Sequence, residues 1–419
     1  MPRLLSTDAS PNTTPHDALR SIVQILNPWT LSRKNTRHVD EVQRFFVESF
    51  GTQNVFTFLR GRSALSLTLE SLGITSGDEV CIQAFTCVVV PNAITALGAT
   101  PVYCDVDDSY NLTADSIHEV LQKHPRLKAV VVQHTFGVAA DMDAIVALCK
   151  EKNLLLIEDC AHALYSTYNN KLLGTFGDAA IFSFGRDKVI SSVNGGVAVL
   201  RSPAAAEKMK MLIQEKVIHI RTADVYKHLL HPFVFEVGKI LFEFHPALCN
   251  GWIEIFKHTR LIPLVVTEKE KEGAQEVHYH LPNPLAYRAL VQLRSIRTTL
   301  AHRADISKVY AGLLPIDTFF PQHIPSYASS SLLRYTIHHE QIPQIEGELK
   351  KHGVYLGHWY DTAIAPKDTS LEGAKYTVGI CPKAEKLTMS IANLPTHLSI
   401  TEDDARMIAD VILKNSKKV

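Results

Sequence analysis

The chain is 419 residues long, 46% hydrophobic and 21% charged, and its 43 basic residues balance 43 acidic ones. Such a length suits two domains, or one large domain with a smaller companion. Zero formal charge excludes the broad cationic surface of a nucleic-acid binder and leaves room only for a local basic pocket.

Seven cysteines are scattered without a C-x-x-C pair, mostly in apolar runs. They read as buried free thiols in a reducing, cytoplasmic setting, with neither a disulfide framework nor a zinc site. The polar, proline-containing start lacks the apolar core of a signal peptide. No run of 18 apolar residues suggests a spanning helix.

In chain order, residues 1 to about 15 read as a flexible tail, the first part of a tail and helical segment over 1–55. From Phe56 to Leu200 short apolar runs alternate with amphipathic helical windows. The strand-like runs are Asp78–Gln83, Thr100–Val106, Lys128–His134, Asn153–Cys160, Asp178–Phe184 and Gly195–Leu200. Helical windows include Ser63–Leu72 and Asp141–Lys152, the latter with Asp141 as its N-cap. Near-continuous apolar strands separated by helices predict an α/β fold with a mainly parallel sheet covered on both faces. Ligands bind such sheets at the carboxyl ends of the strands.

Residues 201–265, rich in aromatics and leucine, break the pattern. They read as a helical insertion in a large domain spanning 56–265; the alternative is a helix lying on a membrane surface. From His278 to Tyr310, Leu285, Ala289, Leu293, Ile296 and Leu300 recur at helical spacing and predict one long helix within a connector over 266–329. A small C-terminal α/β domain follows over 330–419, its last helix opened by a Thr401-x-x-Asp404 capping pattern.

The polar residues of interest stand at strand ends. The run Leu154–Ile157 leads into Glu158-Asp159, and the run ending at Ser183 is followed five residues later by Lys188. An Asp and a Lys there make a structural salt bridge on one reading, costly to bury unless something else retains it. Pyridoxal phosphate (PLP) chemistry supplies a reason to keep both. A lysine amine forms a Schiff base with the cofactor aldehyde. An ionised aspartate keeps the pyridine nitrogen protonated, so that the ring accepts electrons. A phosphorylated cofactor also needs an anion cradle. Gly61-Arg62-Ser63-Ala64 opens a helical window, where small residues expose backbone N–H groups along a favourable dipole. An ordinary N-cap is the other reading. Ser183 offers a hydroxyl to the same phosphate.

The ordered segments GRSAL, SGDEV, FTCVVVPNAI, GATPVYCDVD, HTFGVAADMDAI, IEDCAHAL, FSFGRDK and NGG resemble the DegT/StrS-type family of PLP-dependent aminotransferases. Members of that family act on keto sugars linked to nucleotides. The likeness is dense over Phe56–Leu200 and resumes at HLPNPLAYRALVQLRSI and CPKAEKLTMSIANLPTHLSI. It implies a type I PLP fold, a homodimer with active sites at the subunit interface, and glutamate as amino donor.

Position by position, Lys188 resembles the Schiff-base lysine, also the general acid and base of the proton shift. Asp159 resembles the partner of the pyridine nitrogen, and His162 a residue beside the cofactor ring. Arg62, Ser63 and Ser183 fall where the family binds phosphate. Cys87 stands where the family places a stacking aromatic, with Phe85 two residues earlier as the substitute. His280, with Asn283 nearby, stands where an asparagine usually reaches the phosphate bound by the neighbouring subunit. Asn194 replaces an acidic residue before Gly195-Gly196.

Two other function classes compete. One is a PLP-dependent sugar dehydratase or deoxygenase, whose known relatives carry histidine in place of the lysine. The other is a non-catalytic binding protein on the same fold, weakly favoured by the apolar insertion. The pair His338-His339 has no third ligand at metal spacing and reads as solvated surface. His134 either lines the active site or is satisfied by backbone. Lys383, Glu385 and His397 are further candidates to approach substrate.

Overall fold

Short runs of β-branched and small apolar residues form the centre of the protein. In the computed structural model the described residues are 3–416 apart from 9, 33, 275–276 and 330. Among them, seven strands make one sheet: β1 (Val55–Phe58), β2 (Glu79–Gln83), β3 (Thr100–Cys104), β4 (Leu127–Gln133), β5 (Leu155–Asp159), β6 (Ala179–Ser183) and β7 (Gly196–Leu200). Their order is β1-β7-β6-β5-β4-β2-β3. Strands β6, β5, β4, β2 and β3 run parallel, and β7 lies antiparallel to both its neighbours. Almost all their side chains are buried, as helices on both faces of a parallel sheet require. All six strand-like runs of the sequence are present, and β1 adds a seventh.

Helices α1 (Pro15–Leu26), α2 (Arg37–Phe50), α3 (Gly61–Ser71) and α4 (Met142–Glu151) belong to this half. Asp141 caps α4, its Oδ1 accepting the Ala144 N–H at 3.4 Å. The aromatic-rich segment is helical: α5 (Pro203–Lys216), α6 (Thr222–Phe244) and α7 (Pro246–His258), with α6 packed against α1 and α7. No helix among the described residues is long and apolar enough to cross a membrane.

Three expectations need correction. The predicted long helix is two helices, α8 (Asn283–Leu293) and α9 (Ile296–Leu313), and His278–Tyr279 is a short strand. At the break, Ser295 Oγ donates to the Gln292 carbonyl at 3.2 Å. A serine that bonds back to the preceding turn competes with the helix ladder. The chain passes between two cores within α9: Leu285, Ala289 and Leu293 on α8 and Ile296 and Leu300 on α9 join the main cluster, whereas Ile306 and Tyr310 join a second one.

The first residues are also not a loose tail. Leu5–Ser6 pairs in parallel with Val354–Tyr355, and Leu5 is buried in the second cluster. An open strand edge at Val354–Tyr355 gives this short apolar stretch its partner. Thr14 and Asp17 then form a capping box that starts α1.

The second cluster is built on β8 (Tyr335–His338), antiparallel to β9 (Ile391–Leu394), and on α10 (Glu402–Asn415) with its Thr401/Asp404 capping box. This overturns the solvated reading of His338. All four residues of β8 are buried, His338 among them, and Tyr110 Oη lies 2.7 Å from its Nε2. His339 packs on Phe319.

Candidate active site

The register of the central sheet brings the chemistry together. Asp159 stands opposite Ile181 at the carboxyl end of β5, and Ser183 closes β6 two residues on. The chain then turns through Gly185, whose carbonyl accepts the Lys188 N–H at 3.2 Å, and returns as β7. A cavity of about 820 Å³ opens at these strand ends. Lys188, Asp159, His162, Ser183, Arg62 and Cys87 all line it.

Lys188 is half-buried. Burial pulls its amine below the ordinary lysine value, although Cys87, Asp159 and Asp187 act the other way. Asp159 is buried too, and burial raises its carboxyl above the usual range, against a 2.9 Å bond from the Ala161 N–H and the nearby Lys188 charge. A carboxylate in that position is stabilised by any cation brought against it.

His162 is kept neutral. Burial, followed by the charges of Lys188 and Arg334, holds its ring well below the ordinary histidine value. Its Nδ1 accepts the Phe136 N–H at 3.3 Å, so the proton is on Nε2, 3.4 Å from Tyr360 Oη. The ring stacks on Trp359 at 5.4 Å.

The cradle is close-packed. A Cβ on Gly61 would stand 2.9 Å from Ser183 Cβ, and one on Gly196 would meet Arg60 and Gly61 backbone at 2.5–2.6 Å. Only glycines let the first turn of α3 approach the ends of β6 and β7 this closely. Arg62 lines the cavity but gives its guanidinium to Glu270 and to the Val265 carbonyl.

Three expected residues lie off the cavity. Ser63 is buried on α3. Phe85 is fully buried behind Tyr360, edge-on at 5.3 Å, so Cys87 rather than Phe85 forms that wall. His280 pairs with Phe58, donates its N–H to the Ile218 carbonyl at 3.1 Å and lies against the His219 ring. Asn283 Oδ1 accepts the His38 N–H at 2.8 Å.

The remaining candidates have structural partners. Glu385 Oε1 accepts from Tyr376 Oη and the Gly379 N–H, both at 2.7 Å. The Lys383 N–H donates to Asp105, and the His397 ring lies 3.1 Å from the Ser6 carbonyl. His134, Glu158 and Cys160 cluster tightly enough to suggest a metal, yet the lone pairs of Glu158 and His134 are already engaged. Glu158 accepts N–H groups from Gly174, Phe176 and Gly177 at 2.6–2.8 Å. The Ala140 N–H donates to His134 Nδ1 at 3.3 Å, which leaves Nε2 to donate to Glu158 at 3.4 Å.

Several cavity residues escaped the sequence reading. Trp359, Tyr360 and Asp8 come from opposite ends of the chain, and no local pattern marks them. Arg186 likewise escaped it; together with Asn194, which the sequence did single out, it flanks the lysine turn and is propped by α6. Arg186 Nη1 donates to His231 Nε2 at 3.2 Å, and Asn194 Nδ2 to His228 Nε2 at 3.0 Å. Burial holds His228 down to about 4, so it is neutral and its Nδ1 donates to the Asp224 carbonyl.

The family model described as DegT/DnrJ/EryC1/StrS aminotransferase matches residues 16–239 and 263–413. GDP-perosamine synthase of Vibrio cholerae is 36% identical over 191 residues, 45% of this chain and 51% of that protein. The chain thus spans about half the length of the GDP-perosamine synthases it matches. The dTDP-4-dehydro-2,3,6-trideoxy-D-glucose 4-aminotransferase of Saccharopolyspora spinosa is 28% identical over 363 residues, 84% of this chain and 82% of that one. Among solved structures, Spr1654 from Streptococcus pneumoniae in its PLP-form aligns with a TM-score of 0.73 at 20% identity, over 99% of this chain and 98% of that one. At that identity the likeness shows the fold alone, which is that of the PLP-dependent aminotransferases.

Proposed function

Because the chain belongs to the DegT/DnrJ/EryC1/StrS aminotransferase family, we propose that it is a PLP-dependent aminotransferase. It moves an amino group from glutamate to a keto sugar linked to a nucleotide. One observation carries this reading: Lys188 and Asp159, from adjacent strand ends, line a single cavity beside the Gly61–Ser183 cradle. The names of relatives, which include GDP-, UDP- and dTDP-linked sugars, support the substrate class.

The cavity's residues fit the cofactor. The first turn of α3, with its helix dipole and beside the Ser183 hydroxyl, suits a phosphate. The buried Asp159 carboxylate suits a protonated ring nitrogen, and Cys87 gives the ring a wall. PLP, when bound, supplies an electron sink for negative charge at the reacting carbon. Lys188 would anchor it and would move the proton at that carbon, its amine drawn below the ordinary lysine value by burial. Neutral His162 packs beside the ring without adding charge.

In this reading the enzyme is a cytoplasmic homodimer. His280, off the cavity of its own chain, serves the second copy. The large domain (56–265) and the small one (330–419) are joined through 266–329.

The test is spectroscopic. The purified protein carries a visible band that borohydride fixes as a modified Lys188 peptide, and glutamate shifts it to the pyridoxamine form. A Lys188→Ala protein that kept full amino transfer would sink the proposal.

A further inference from the structure

Helices α6 and α7 form a hairpin with a filled inner seam and an open outer face. Within the seam, Trp252 Nε1 donates to the Val234 carbonyl at 2.9 Å, and a Cβ on Gly238 would stand 3.4–3.5 Å from Ile253 and Cys249. Val234, Phe235 and Ile262 make a small core there with Trp252, Ile253 and Phe256. On the outer side of α6, Tyr226, Leu230, Phe233, Val237, Ile240 and Phe244 recur at alternating spacings of four and three. That is the heptad seam by which one helix packs on another, yet none of the six is fully buried. Ile240 is 57% and Phe244 69% exposed, and α7 adds Leu248 at 52% and Ile255 at 60%. At about 100° per residue, both stripes stand roughly a quarter turn from the seam, on the same side of the antiparallel pair.

We propose that this face pairs with the same face of a second copy, so that two hairpins make a four-helix bundle across a two-fold axis. The pairing is additional to any dimer that forms the active site. The four exposed side chains all lie in residues 240–262, between the two stretches that the family model matches, so the patch is no part of what the family shares. Charge selects the occupant. From Glu236 to Arg260 three carboxylates (Glu236, Glu243, Glu254) stand against three permanent cations (Lys239, Lys257, Arg260). Two of the pairs already close within the hairpin, Lys239 with Glu236 at 2.6 Å and Lys257 with Glu254 at 2.7 Å. An even balance of signs complements itself across a two-fold and gives an anionic membrane surface nothing to hold. The area is adequate as well. At roughly 100 Å² for each of the four side chains, the patch offers on the order of 400 Å² per copy, about half of what a standard interface takes from each partner. Half-buried Phe233 and Val237 extend it.

Sedimentation of the full-length protein tests this. The parent forms an assembly of twice the mass of a Phe244→Glu/Ile255→Glu variant, because a two-fold axis brings each new charge into the interface twice. Neither side chain lines the cavity, so the variant keeps the cofactor behaviour of the parent. Equal masses for the two proteins overturn the proposal. So does flotation of the parent with phosphatidylcholine–phosphatidylserine vesicles when its mass does not halve in the variant, which makes a lipid surface the occupant. If the double variant does not fold, Ile255→Gln decides: the dissociation constant of the larger assembly rises about tenfold or more, and an unchanged value overturns the pairing. The amino-transfer reading is judged separately, by the visible band, and its failure leaves this result standing.

Discussion

Glu158 and Asp159 are adjacent carboxylates with different tasks, and replacing Glu158 by glutamine separates them. Glu158 is fully buried and ties down residues 174–177 by accepting three backbone N–H groups, with His134 as a fourth donor. Oε1 serves Phe176 and Gly177, and Oε2 serves Gly174 and His134. A glutamine keeps its carbonyl on the first pair and must turn its NH₂ toward the second. That sets donor against donor and strips the Gly174 N–H of its acceptor. His134 cannot adapt by moving its proton, because Nδ1 already accepts from Ala140. Losing a bond to a charged group costs about 1.5–3 kcal/mol, and an unsatisfied buried donor about 1–3 more. Relief of a buried charge returns part of this, leaving about 3 kcal/mol. For a chain of 419 residues, at about 2.1 cal/mol/K of unfolding entropy per residue, this lowers the melting temperature by about 3–4 °C. Differential scanning calorimetry at fixed protein concentration measures it. A melting point within 1 °C of the parent refutes the claim that this carboxylate organises the loop.

Two further outcomes follow from the same geometry. Gly61→Ala pushes a methyl group to 2.9 Å from Ser183 Cβ, costing about 1–3 kcal/mol of local fit. Its cost falls on the cradle, so the variant loses its visible band on dialysis at concentrations where the parent keeps it; equal retention argues against the cradle. Asp187 is held up to about 6, chiefly by burial and then by Asp8, with Arg334, Arg186 and Lys188 opposing. A carboxyl raised in the folded state loses its contribution as pH rises through that value, so the parent pays a penalty above about pH 6 that Asp187→Asn avoids. The variant therefore gains on the order of 1–2 kcal/mol relative to the parent between pH 5 and pH 7.5. Denaturant melts at both pH values check it, and a gain that shrinks as pH rises contradicts it.

The large half of the fold was legible because local chemistry writes it. Apolar runs of strand length, separated by capped helices, have one economical arrangement, and the strand ends announce where a ligand sits. Lys188, Asp159 and Ser183 could therefore be read in place. Other residues could not. Phe85 and Cys87 are two positions apart, and nothing local told which one faces the cavity; packing against Tyr360 buries Phe85 and leaves the wall to Cys87. The break between α8 and α9 was hidden because apolar spacing continues across Ser295 while the helix ladder does not.

By itself, then, the sequence determined the sheet, its helices, and the lysine and aspartate at neighbouring strand ends, because period and burial act over a few residues. Tertiary structure alone decided what surrounds them. A segment read as a loose tail pairs with Val354–Tyr355 and carries Asp8 to Arg334. Trp359 arrives from the far end of the chain to lie against both Lys188 and Arg334. Such contacts depend on how two separate cores dock, and no pattern within either one records it.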